Sequence, residues 1–167
     1  MVEQAKNQVK PPMLAHMGIL VKDIDKALEY YSANFGWGQP EVAVVELKGF
    51  TYKGKRENCR LKVAMYPGPI LVEIFQLLDA DGDSPYSWMP AGKSEYLHHM
   101  GFAVDDLDKS LADLEKKGIK PIFSHCFPEI GFRWVYINSD KDDGIIYELT
   151  EQRKEIELKD TLGHWRE

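Results

Sequence analysis

The feature that most constrains the fold is an internal repeat. Residues 16–30 read HMGILVKDIDKALEY, and residues 99–113 read HMGFAVDDLDKSLAD. Without gaps, the two segments share His, Met, Gly, Val, two Asp, Lys and Leu at matched positions. Each copy predicts a short apolar strand that begins with a histidine, an Asp-rich turn and an amphipathic helix. The chain is therefore expected to contain two copies of one structural module.

A second pair of matched segments lies near the end of each half. ILVEIFQ (70–76) aligns with IIYELTE (145–151), which places Glu73 against Glu148. A carboxylate in so apolar a strand is costly to bury without a partner. Two histidines, His16 and His99, occupy the matched positions of the other pair of strands. These four side chains compensate one another if they bind a divalent cation, so the repeat predicts one metal site shared by the two halves.

The pattern of apolar residues and turn signals gives each half the order β-α-β-β-β. We predict an arm over 1–12, a first module over 13–78, a linker over 79–95, a second module over 96–151, and a tail over 152–167 with a short helix. The predicted strands cover 14–22, 42–47, 61–66, 71–77, 97–104, 119–127, 132–137 and 145–150. The predicted helices cover 24–34, capped by Asp23, and 107–117.

Strand alternation indicates which side chains meet. Side chains alternate with a period of two, so His16, Gly18 and Leu20 share one face, while Met17, Ile19 and Val21 share the other. We expect the second group to pack under the helix and the first to line the concave face. By the same rule His98 faces away from His99 if the strand is regular, which favours a structural or supporting role.

Composition excludes several classes of partner. The net charge of −6 over 167 residues argues against nucleic acid or an anionic membrane surface, and there is no apolar run long enough to span a bilayer. The beginning of the chain lacks the apolar core of a signal peptide, so a cytoplasmic location is expected. Cys59 and Cys126 form no CxxC motif and are interpreted as reduced thiols.

The modules resemble the vicinal oxygen chelate superfamily. AHMGILVKDIDKALEYY and LHHMGFAVDDLDKSLADLEKKG are similar to the openings of the two modules in methylmalonyl-CoA epimerases and small glyoxalase-like proteins, and the resemblance covers about residues 13–151. It implies an α+β fold in which two tandem βαβββ modules form a curled mixed β-sheet cup with helices outside. Carried over by position, the family's metal ligands fall on His16, Glu73, His99 and Glu148. Zn, Co, Ni, Mn and Fe all suit this donor set.

The resemblance also implies the chemistry. A small substrate with a carbonyl or acyl-thioester group chelates the cation, which stabilises an enolate or enediolate as a proton leaves the adjacent carbon. We expect a metal-dependent isomerase, epimerase or lyase, with Glu148 as first choice for the base and Glu73 as the second acid or base. Glu46 is a weaker candidate, with an exposed strand carboxylate as the favoured interpretation. The alternatives are an Fe(II) dioxygenase, against which the fourth ligand argues, and a non-catalytic binding or resistance protein.

The remaining expectations concern the surroundings of the site. Arg133 either holds a substrate carboxylate or forms a surface ion pair. Tyr86, Trp88 and Met89 of the linker form either a lid over the cup or a dimer contact, and a homodimer is expected. His125 and His164 are interpreted as packed or solvated histidines, and Cys126 beside His125 as unrelated to metal binding, because adjacent strand residues face opposite ways.

Overall fold

The computed structural model describes residues 13–138 and 145–152. The predicted arm (1–12), the last turn (139–144) and the tail after Gln152, with His164, lie outside the described residues. The elements are β1 (Met13–Val21), α1 (Ile24–Phe35), β2 (Val42–Tyr52), β3 (Lys55–Tyr66), β4 (Leu71–Ala80), β5 (Glu95–Ala103), α2 (Leu107–Glu115), β6 (Phe123–Phe127), a 3-10 turn (Pro128–Ile130), β7 (Phe132–Asn138) and β8 (Ile146–Gln152).

The repeated aspartates begin the two helices. The side chain of Asp23 accepts a hydrogen bond from the backbone N–H of Lys26 at 3.1 Å, and that of Asp106 accepts one from Lys109 at 2.8 Å. These bonds satisfy N–H groups that the first helical turn leaves free. The predicted cap of α1 is therefore confirmed. Neither of the described helices is long and apolar enough to cross a membrane.

The strands form one closed mixed barrel in the order β1-β4-β3-β2-β6-β7-β8-β5. Strand β1 pairs in parallel with β4 and antiparallel with β5, and β5 pairs in parallel with β8. The pairing of β2 with β6 closes the ring on the other side. The predicted α+β class is confirmed, and the sheet closes within one chain. The expected homodimer stays a prediction.

Several strands differ from their predicted bounds, most of all β2, β3 and β6. Strands β2 and β3 meet at the turn Lys53-Gly54, where φ is 47° and 80°. Positive φ at both central residues is the conformation of a tight two-residue hairpin. The polar residues 49–60 therefore belong to a long hairpin, whereas the sequence interpretation ended these strands at 47 and began them again at 61. Strand β6 starts at Phe123, later than predicted, after Pro121, which has no N–H to donate to a ladder.

Apolar side chains pack on both sides of the barrel wall. Inside, a cluster includes Leu20, Phe50, Phe75 and Phe123. Outside, α1 packs Ile24, Leu28 and Tyr31 against Ala64 and Ile74, and α2 packs Leu107 against Val135 and Ile137. Ile19 and Val21 contribute to the outer cluster, while Leu20 lies inside. The predicted alternation along β1 is thus confirmed at this end of the strand, and the helices lie outside the barrel.

The linker enters the barrel. Ser84, Pro85 and Tyr86 are buried, and the Tyr86 hydroxyl lies 2.9 Å from that of Tyr136, which faces the interior. The Tyr86 ring also packs against Phe75. Tyr86 therefore forms part of the inner wall and is not a lid, while Trp88 is 61% exposed.

Candidate functional site

The four predicted ligands meet inside the barrel. His16 on β1 and His99 on β5 approach to 3.1 Å between their Nε2 atoms. A carboxylate oxygen of Glu148 on β8 lies 3.1 Å from His99 Nε2 and 3.5 Å from His16 Nε2. A carboxylate oxygen of Glu73 on β4 lies 3.6 Å from His99 Nε2. The structure thus brings together all four residues that the repeat had paired.

The register of the strands explains this convergence. His16 pairs with Gly101, and Gly18 pairs with His99, across the antiparallel β1–β5 ladder. On the outer sides of these strands, Gly18 pairs with Glu73 and Gly101 with Glu148. Each glycine therefore lies between a histidine of the other half and a glutamate of its own half. This relation makes the two halves contribute equivalent side chains to one cluster.

The glycines are required because the imidazole rings lie directly over them. A Cβ atom at Gly18 would lie 2.1 Å from His99 Cε1, and one at Gly101 would lie 2.0 Å from His16 Cε1. Both distances are far shorter than a carbon–carbon contact of about 3.5 Å. A role for these two glycines was not predicted, although the shared HMG motif carried the signal.

His98 departs from its predicted orientation. Gly18 pairs with His99 but Ile19 pairs with Leu97, so His98 is an extra residue in β5. A bulge of this kind interrupts the alternation of side chains. His98 is consequently 2% exposed and packs against Tyr86 and Phe75, and its Nδ1 lies 2.9 Å from His99 Nδ1. The strand is not regular here, so His98 does not face away from His99, and its contacts agree with the structural or supporting role that was expected of it.

A chain of hydrogen bonds supports His99. His98 Nε2 lies 3.0 Å from the carbonyl oxygen of Pro85, which can only accept, so His98 Nε2 carries the proton. Burial lowers the pKa of His98 to about 3 and that of His99 to about 4, so both rings are neutral. His98 Nδ1 is then an acceptor, and His99 Nδ1 donates to it. The lone pair of His99 Nε2 is thereby directed at the carboxylates, as metal binding requires.

The site attracts positive charge. Burial lowers the pKa of His16, but the nearby carboxylates of Glu148 and Glu73 outweigh it and raise the pKa to about 9. Burial raises the pKa of the Glu73 carboxyl. In the absence of another cation, a proton on His16 partly balances the two glutamates. A divalent cation among the same atoms would take over that role.

The donor atoms fit a metal ion. His16, Glu73 and His99 each offer one ligand atom, and these three atoms lie within 4.8 Å of one another. Glu148 contacts both histidines. Two atoms each about 2.1 Å from an ion, at roughly 90–110°, lie about 3.0–3.4 Å apart. The observed separations of 3.1–3.6 Å are close to this range. Two imidazoles and two carboxylates suit Zn, Co, Ni, Mn and Fe without selecting among them.

A cavity of about 400 Å³ opens beside these residues. His16, Glu73 and Glu148 line it, and apolar or aromatic side chains form most of the wall, among them Leu47, Leu61, Phe75, Phe127, Phe132 and Trp134. This volume lies within the range of small-molecule sites, about 300–1,000 Å³. The cavity has room for a small ligand that reaches the ligand cluster.

Two predicted candidates lie outside the cavity. Glu46 points outward from β2, and its carboxylate lies 2.6 Å from Lys48 Nζ. Arg133 is held by Glu151 and, at 2.9 Å, by Asp108 of α2. The interpretation of Glu46 as an exposed strand carboxylate is confirmed, and Arg133 forms the surface ion pairs that were its alternative.

The expectation that His125 is a packed histidine is confirmed. His125 packs edge-on against Trp134 and Phe127, and burial lowers its pKa to about 4. Cys126 is an exposed free thiol and Cys59 a buried one. These residues are separate from the ligand cluster.

Comparison with known proteins identifies the fold. The family model described as "Glyoxalase/Bleomycin resistance protein/Dioxygenase superfamily" matches residues 15–136. A hypothetical protein from Bacillus halodurans C-125 has a similar structure, with 19% identity, coverage of 89% of this chain and 99% of that chain, and a TM-score of 0.60.

Epimerases are also among the similar structures. A methylmalonyl-CoA epimerase in complex with methylmalonyl-CoA has 21% identity and a TM-score of 0.54, and the match covers 86% of this chain and 96% of that chain. The Mycobacterium tuberculosis methylmalonyl-CoA epimerase has 22% identity and a TM-score of 0.55, and the match covers 84% of this chain and 87% of that chain. No curated protein matches the chain. The match of the family model over most of the barrel shows that the chain belongs to the Glyoxalase/Bleomycin resistance protein/Dioxygenase superfamily.

Proposed function

We propose that the protein is a metal-dependent isomerase, epimerase or lyase that moves a proton on a small chelating substrate. The observation that carries this proposal is the convergence of His16, Glu73, His99 and Glu148 beside a cavity of about 400 Å³. Bound by these residues, a divalent cation would polarise a substrate carbonyl and stabilise the negative charge of an enolate or enediolate. The similar epimerases support this class of reaction.

The glutamates supply the acid and base. Among the described residues that line the cavity, Glu73 and Glu148 are the carboxylates, and Glu46 is excluded by its outward position. Glu148 contacts both histidines, and its side chain is 6% exposed. Glu73 contacts His99 alone at 3.6 Å, and its side chain is 20% exposed. We therefore place Glu73 ahead of Glu148 as the first base, while Glu148 would hold the cation and act as the second acid or base.

The two glutamates also fit epimerisation. Strands β4 and β8 flank the β1–β5 pair on opposite sides, so Glu73 and Glu148 approach the histidine pair from different directions. A carbon held between them can lose a proton to one carboxylate and regain it from the other, which inverts its configuration. Return of the proton to a neighbouring carbon gives isomerisation instead.

The test is solvent-deuterium exchange by metal-loaded protein. We expect deuterium to enter the α-carbon of a member of a panel of methylmalonyl-CoA, 2-oxo acids and 2-hydroxy ketones. Glu73→Gln should abolish exchange while retaining most of the metal, and Glu46→Gln is the matched control that should change neither. Bound metal without exchange on any panel member, or full exchange by Glu73→Gln, would contradict the proposal.

A further inference from the structure

The cavity wall holds information about the substrate beyond its chelating group. Strands β2 and β3 contribute Val45, Leu47, Leu61 and Val63 to the wall, and β7 contributes Phe132 and Trp134. Inward positions alternate along each strand, so the apolar wall is built from residues two apart in sequence.

The basic side chains of these strands point outward. Lys48 pairs with Glu46, Lys62 with Asp25 at 2.8 Å, and Arg133 with Asp108. Within residues 13–138 and 145–152, no lysine or arginine lines the cavity. His125, which packs against Trp134, is neutral. The described part of the wall therefore offers no cationic partner to an anionic group that lies outside the chelating end of the ligand.

The cluster of His16, Glu73, His99 and Glu148 does not supply a cationic partner either. A divalent cation held there would have its charge balanced by the carboxylates of Glu73 and Glu148. A carboxylate or phosphate elsewhere on a ligand would lose hydration against apolar side chains without a compensating partner, which is unfavourable. An uncharged hydrocarbon body would instead gain from leaving water.

Resting on the proposed function, we infer that the substrate has an uncharged, apolar body and chelates the cation through two oxygens at one end. The body packs against the wall that includes Leu47, Leu61, Phe132 and Trp134. This class differs from substrates that carry an anionic group into the cavity. The orientation follows from the site, because the chelating end must reach the cluster that includes His16, Glu73 and Glu148, and most of the remaining lining is apolar.

A series of hydroxamates with one chelating head tests the inference. Binding of acetohydroxamate, benzohydroxamate and 4-carboxybenzohydroxamate to Zn-loaded protein is measured by calorimetry, with metal-free protein as the control. We expect benzohydroxamate to bind at least tenfold more tightly than acetohydroxamate, because its ring is buried. We also expect it to bind at least tenfold more tightly than the carboxylated analogue, because the wall lacks a cation.

A charge placed on the wall provides a second test. Phe132 lies four residues from Tyr136 along β7, or about 13 Å at the rise of a β-strand, and Tyr136 pairs with Glu148. Phe132→Lys therefore adds a cation well away from the ligands. It should reduce the discrimination against 4-carboxybenzohydroxamate at least fivefold, whereas the neutral control Phe132→Leu should retain it.

The outcomes separate the two proposals. If all three hydroxamates bind only to Zn-loaded protein but with equal affinity, the inference about the substrate is overturned and the metal site stands. If none binds in a metal-dependent way, the proposed function fails. In that case methyl 2-naphthoate and 2-naphthoate, titrated into metal-free protein by ligand-observed NMR, decide the inference. At least tenfold tighter binding of the ester supports it, and equal binding overturns it.

Discussion

The glycines beneath the histidine rings give the sharpest prediction about the site. In Gly101→Ala, the new Cβ would lie 2.0 Å from His16 Cε1, with the ring nitrogens at 2.3 Å. Carbon atoms in contact are normally about 3.5–4.0 Å apart. The ring must therefore move by more than 1 Å, or β1 and β5 must separate. Either change displaces His16 Nε2 from the other three ligands.

The magnitude follows from two opposing effects. Alanine in place of glycine within a strand normally stabilises a protein by about 0.5–1 kcal/mol. Overpacking of a buried site costs typically about 1–3 kcal/mol. We therefore expect Gly101→Ala to lower the free energy of unfolding of metal-free protein by about 1–2 kcal/mol. Zinc affinity should fall at least tenfold, or about 1.4 kcal/mol, because one ligand is displaced.

The assays are urea unfolding of the metal-free protein and zinc competition with a chromophoric chelator. Gly18→Ala should behave like Gly101→Ala, since its Cβ would meet His99 at 2.1 Å. Gly38→Ala is the matched control, because its Cβ would have no atom within 4 Å, and it should change neither quantity by much. Wild-type stability and zinc affinity in both Gly18→Ala and Gly101→Ala would refute the reasoning.

Three further predictions concern the surroundings of the site. His98→Leu removes the acceptor of His99 Nδ1 and should weaken zinc binding about 10- to 100-fold, as measured by chelator competition; unchanged affinity would show that the hydrogen-bond chain has no role. In metal-free protein, the pKa of His16 is raised to about 9. Protonated His16 therefore stabilises the fold fully below about pH 6.5, and this contribution is lost as the pH rises through 9. The difference in urea midpoint between wild type and His16→Gln should therefore shrink over that interval, and a difference that grows would contradict the assignment. Arg133→Met removes exposed ion pairs and should cost about 1 kcal/mol or less, with unchanged benzohydroxamate binding; loss of binding would place Arg133 at the substrate.

The ligand residues could be predicted because the repeat is visible in the sequence itself. Matching His16 with His99, and Glu73 with Glu148, required only an alignment of the two halves. The structure brings these four residues together through symmetrical registers on either side of β1 and β5. A lone carboxylate is costly to bury in an apolar strand, and this argument indicated the same site.

The supporting residues could not be predicted from periodicity. The alternation rule assumes a regular strand, and the extra residue in β5 turns His98 toward His99. The path of the linker is not encoded by any periodic pattern, so the entry of Tyr86 into the barrel was missed. Residues 49–60 were not predicted as strand because most of their side chains are polar. These polar side chains lie on the outer face of the hairpin, while Phe50 and Tyr52 lie on its inner face.

The central claim is that four side chains from both halves hold one divalent ion. Titration of metal-free protein with Co²⁺, followed by visible absorbance and elemental analysis, tests it most directly. We predict saturation at one ion per chain, and loss of binding in His16→Ala and in His99→Ala proteins that remain folded by circular dichroism. Glu46→Gln, with its carboxylate outside the barrel, should bind as wild type. Stoichiometric Co²⁺ in a folded His16→Ala/His99→Ala double variant would contradict the account.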